Sequence, residues 1–95
     1  MKVRIEFEAY IVRHANRYVL VPTREGREIL ATLVNKRGKL TLIHSSGVYE
    51  MEVTISANPK YKAVVFLPSP LEPTWKKLHE TPLKAIIEVD GDGGR

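Results

Sequence analysis

Cysteine is absent from the 95 residues, which excludes a disulfide framework, a thiolate metal site and a cysteine nucleophile. With no disulfide to form, the expected setting is a reducing one, the cytoplasm. Glutamine is also missing, and asparagine occurs only at positions 16, 35 and 58, whereas 27% of the residues are charged. That bias is typical of proteins from thermophilic sources. No apolar run approaches the roughly 18 residues that a membrane helix needs. From Met1 the chain alternates charged and apolar residues, with no apolar stretch of the kind a secretory signal carries. The expectation is a protein neither exported nor embedded in a membrane.

Several chemical motifs are lacking too. The sequence has no Gly-x-Ser-x-Gly elbow, and Ser45 and Ser46 before Gly47 read as a turn. Its terminal glycines, Gly91, Gly93 and Gly94, precede no helix that a phosphate loop would feed. His14, His44 and His79 stand on different elements without metal-ligand spacing. Glu6 with Glu8, and Glu50 with Glu52, project from the wet faces of strands. The expectation is a non-catalytic domain without metal or other cofactor.

What remains is an ordinary globular composition, 43% hydrophobic, in a chain of the length of one domain. We read residues 1–90 as that domain and 91–95 as a flexible tail. Val3, Ile5, Phe7, Ala9 and Ile11 alternate with polar residues, the period of a half-buried strand. The His14-Ala15-Asn16 interruption followed by Arg17 to Val21 makes a hairpin closed by Pro22. Ile29, Leu30, Leu33 and Val34 then take helical spacing, which predicts a helix capped by Thr23, running to about Lys36 and ended by Gly38. Gly26 weakens its first turn by roughly 1 kcal/mol relative to Ala.

Lys39 to His44 and Tyr49 to Ile55 form a second hairpin around Ser45-Ser46-Gly47. Tyr61 to Leu67 is almost continuously apolar, as in a strand covered on both faces. Pro68, Pro70 and Pro73 break the chain before a turn or two of helix with Trp75 and Leu78 inward, and Leu83 to Val89 alternates as a last strand. The fold class is mainly β with one inserted α-helix, a small six-stranded antiparallel barrel.

Charge is unevenly placed. Residues 1 to 39 hold nine Lys or Arg against four Asp or Glu, a balance of +5; residues 40 to 95 hold six against seven, a balance of −1. Arg13, Arg17, Arg24, Arg27, Lys36 and Arg37 lie around the hairpin tip and the two ends of the predicted helix. Such a set neutralises phosphates in RNA or DNA, and arginine suits planar bidentate recognition. The plainer reading is a solvated surface that keeps the domain soluble. A third reading is a protein-interaction or assembly module that uses the acidic strand faces and the Leu67 to Pro73 loop. Trp75 beside Lys76 and Lys77 reads as a plug at the barrel end rather than a ligand platform.

Phe7-x-Ala9-x-Ile11, Tyr18-x-Leu20-Val21-Pro22, Tyr49 to Ile55 and Leu67-Pro68 follow one another in an order that resembles domain-of-unknown-function family 1905. This double-split β-barrel group is distantly similar to AbrB and MazE, and the resemblance covers most of residues 3–90. Ser69-Pro70 replaces a Lys that the family carries after Leu-Pro, and His79-Glu80-Thr81-Pro82 replaces a Gly-Asp turn. No functional residue is therefore carried over. The resemblance implies the barrel, a homodimer and, by analogy of fold alone, nucleic-acid binding.

Overall fold

A computed structural model describes residues 2–90; the tail assigned to 91–95 lies outside the described residues. Strand β1 (Lys2–His14) turns into β2 (Arg17–Pro22), helix α1 (Arg24–Ala31) follows, and β3 (Arg37–His44) with β4 (Gly47–Asn58) makes the second hairpin. After β5 (Lys62–Phe66) a 3₁₀ turn (Ser69–Leu71) leads into helix α2 (Glu72–Leu78), and β6 (Leu83–Asp90) completes the set. The strands close into an antiparallel barrel in the order β1-β2-β5-β4-β3-β6.

Closure depends on two long strands that each serve two partners. β1 pairs with β6 from Lys2 to Ala9 and with β2 from Ala9 to His14. β4 pairs with β3 from Gly47 to Thr54 and with β5 from Ile55 to Asn58. The shortest seam joins β2 to β5 through Val19↔Phe66 and Leu20↔Val65, extended by Leu67 N donating to Tyr18 O at 3.1 Å. Each strand has a neighbour on both sides, but β1 from Lys2 to Glu8 pairs only with β6 and β4 from Gly47 to Thr54 only with β3, so one backbone edge of each of those halves lies outside the strand ladders.

Period two decides what fills the barrel. Ala9, Ile11, Leu20, Leu40, Ile55 and Ile87 are all fully buried, on inward positions of five strands. Burial of each such Leu or Ile stabilises the fold by about 1.5–3 kcal/mol. Trp75 closes one part of this core from α2: it is 1% exposed, its Nε1 donates to Pro68 O at 2.9 Å, and its ring meets Tyr49 edge-on at 6.4 Å.

The helix departs from the sequence expectation. It ends at Ala31 rather than near Lys36, and the Thr32 hydroxyl donates to Ile29 O at 2.7 Å. The left-handed residue after it is Asn35 (φ 72°), not Gly38. Asn35 N donates to Ile55 O and Ile55 N donates to Lys36 O, so the backbone is already being drawn into the barrel wall where the helix was expected to continue. Gly38 instead lies in β3, where a Cβ would stand 2.3 Å from Glu88 O and 2.6 Å from a Val89 methyl carbon. Gly26 has an analogous reason to lack a side chain, since a Cβ there would stand 2.9 Å from the Phe7 Cβ. Within the helix Ile29 faces outward, while Leu30, and Leu33 beyond its end, are buried. Thr23 does hold the N-cap position, with no hydrogen bond from its side chain. Among the described residues no helix is long and apolar enough to cross a membrane.

Candidate nucleic-acid interface

Strand β2 is buried on both faces, and this creates a second apolar surface outside the barrel. Tyr18 and Leu20 join the main core, whereas Val19 and Val21 form a separate cluster with Val64, flanked by Val12 and Tyr61. A groove of about 310 Å³ opens over this cluster on the outer wall of β1, β2 and β5. Its floor is Val12, Val19, Val21 and Val64, and its rim carries Arg13, His14, Asn58, Lys60, Tyr61 and Phe66. No acidic residue lines it.

Cations are stacked on both aromatic rings of the rim. The Arg17 guanidinium stands 4.9 Å from the Phe66 ring centre and donates through Nη2 to Leu67 O at 3.2 Å. Arg27 reaches over from α1 to within 5.3 Å of the Tyr61 ring centre, as does the Lys60 ammonium from the other chain segment. The Asn58 side-chain oxygen accepts from the Lys60 and Tyr61 backbone amides at 2.8 and 2.9 Å, which fixes the turn that presents both residues. Arg13 lies 5.7 Å from the ring centre of its cross-strand partner Tyr18, whose edge meets His79. Lys62, at the start of β5, pairs with Glu28 on the helix and so holds that carboxylate in an ion pair.

The six cations singled out from the sequence separate in space. Arg13, Arg17 and Arg27 come together on the groove or on the rings that wall it. Arg24 is exposed at the first residue of α1. Lys36 is exposed beside β3, and Arg37 starts that strand, facing Glu52 at 3.9 Å and donating to the Thr54 hydroxyl at 3.4 Å. Lys60, Tyr61 and Phe66 were not identified from charge. Their signal lay in the Lys60-Tyr61 pair after Asn58-Pro59 and in an apolar run long enough to show an aromatic ring on its outer face.

The other candidate chemistries have ordinary partners. His44 Nδ1 engages Ser46, whose hydroxyl also meets the Tyr49 hydroxyl at 3.2 Å, all within one hairpin turn. Among the described residues no group of His, Cys, Asp or Glu is arranged to hold a metal ion, and no polar or charged residue is buried as a whole. A shallower groove of about 290 Å³ has the opposite character, with Glu6, Glu8 and Glu25 around Phe7 and Ile29. No family model matches the chain, and neither does any curated protein or solved structure.

Proposed function

We propose that this domain is a non-catalytic module that binds nucleic acid through the groove over β1, β2 and β5. The observation that carries the reading is the combination of Arg13, Arg17, Arg27 and Lys60 around a groove that no carboxylate lines. Uncompensated cations on one face attract a polyanion and release its counterions. A cytoplasmic location and a thermophilic source belong to the same proposal, on the composition set out above.

Fluorescence anisotropy with labelled RNA and DNA across a salt series tests it. Neutralisation of four phosphates gives an expected slope of log affinity against log salt of about −3 on single strands. Arg13→Ala with Arg17→Ala is expected to make that slope about 1.4 shallower with the far-ultraviolet spectrum unchanged, since both side chains are exposed. Absence of salt-sensitive binding to every nucleic acid tried would overturn the proposal.

A further inference from the structure

We infer that the groove takes unpaired bases, so that the preferred ligand is a single strand, read by stacking rather than by sequence; this rests on the nucleic-acid reading above. A face that bound phosphate alone would need only cations and polar donors. Here the floor is four valines and the walls are two aromatic rings, which offer little to a phosphate and much to the flat face of a base. In a duplex those base faces are hidden in the stack and only edges and backbone are presented. A space of about 310 Å³ is at the small end of pockets for compact ligands; it suits a planar ring system and is far too small to admit a double helix.

The position of the cations agrees with this. Arg17 is stacked on Phe66, and Arg27 and Lys60 on Tyr61, within 4.9 to 5.3 Å of the ring centres. Each ring with its cation forms one platform, and bases stack on aromatic rings and on guanidinium planes alike. Phe66, the last residue of β5, keeps 38% of its surface open to solvent. The Tyr61 backbone is held by the Asn58 turn, which fixes where the ring is presented. The remaining arginine, Arg13, and the Arg17 guanidinium lie toward the hairpin tip, where a strand leaving the groove would carry its next phosphates.

Three oligonucleotides of equal length decide the question: a mixed-sequence single strand, the same strand with all its bases removed, and its blunt duplex. The single strand is expected to bind about tenfold or more tightly than the abasic strand, which carries the same phosphates, and more tightly than the duplex. Phe66→Leu, which keeps an apolar side chain but no ring, is expected to lose about tenfold on the single strand and to leave the abasic strand unchanged. Salt-sensitive binding that is equal for all three ligands, or a Phe66→Leu variant that matches the parent on the single strand, would overturn the inference and leave the nucleic-acid reading standing. Failure of all three to bind would overturn both.

Discussion

At the residue scale the side chain that separates function from stability most sharply is Arg27. Its Nε is buried without a hydrogen-bond partner among the described residues, while its guanidinium lies over Tyr61. An unpaired buried donor costs about 1–3 kcal/mol, and a partly exposed cation-π contact returns about 0.5–1 kcal/mol. On these magnitudes Arg27 is expected to add little net stability, and its guanidinium over Tyr61 fits the role proposed for it in the groove. Arg27→Met keeps the apolar stem and removes the donor. Urea unfolding is expected to give the same stability as the parent or up to about 2 kcal/mol more, while affinity for a single strand falls and the salt slope becomes about 0.7 shallower. Destabilisation beyond about 1 kcal/mol would instead make Arg27 a structural strut of the helix. Charge counting along the chain places Arg27 and Arg37 in one set because it cannot see that Arg37 faces Glu52 across a different hairpin. It passes over Phe66 because an apolar residue in an apolar run looks like core, and only the pleat reveals that Phe66 points outward with Val64.

At the scale of elements, strands that alternate cleanly are legible and their ends are not. β1 and β4 follow from period two, because one wet face and one buried face leave a one-residue slip no acceptable register. The end of α1 is not legible, because tertiary hydrogen bonds from Asn35 and Lys36 to Ile55 outweigh a helical pattern that local sequence still supports. Helix α2 shows the same dependence on packing: at seven residues it is too short to stand alone and is held by Trp75 and Leu78. Trp75 is the single tryptophan of the chain and 1% exposed. Its native emission is therefore expected to be blue-shifted and poorly quenched by acrylamide. Trp75→Phe keeps most of the apolar area but removes one of the two donors to Pro68 O, which still accepts from Leu71 N at 3.3 Å. The expected loss is about 0.5–1.5 kcal/mol, the net worth of one hydrogen bond, read from denaturant curves by circular dichroism. A loss below about 0.5 kcal/mol would mean that the carbonyl finds water once the indole is gone.

At the scale of the whole molecule the charges divide the barrel wall in two. Over β1, β6, β3 and β4 they neutralise one another: Glu6 meets Arg4 and Lys84, each at 3.3 Å, and Lys39 meets Glu50 at 3.9 Å and Glu88 at 3.8 Å. Over β2 and β5 Arg17 lies against Phe66, and Arg27 and Lys60 against Tyr61, beside a groove with no acid among its lining. On the proposed function the first half of the wall serves stability and the second binding, so variants in the two halves are expected to act separately. Isolated exposed pairs contribute about 0–1 kcal/mol at 25 °C, but networks gain importance with temperature as the cost of desolvating their charges falls. A closed barrel with a dry core and such a network is expected to unfold in one transition with a midpoint above the 45–65 °C at which mesophile domains cluster. Lys39→Met breaks two pairs at once and is expected to lower that midpoint by about 4–8 °C, the shift that 1 kcal/mol produces in a domain of this size. Single-strand affinity is expected to stay at the parent value, because Lys39 lies on β3, away from the groove. Scanning calorimetry on both proteins checks this: a parent midpoint inside the mesophile range would remove the thermophilic reading, and loss of affinity in Lys39→Met would show that the two halves of the wall are coupled.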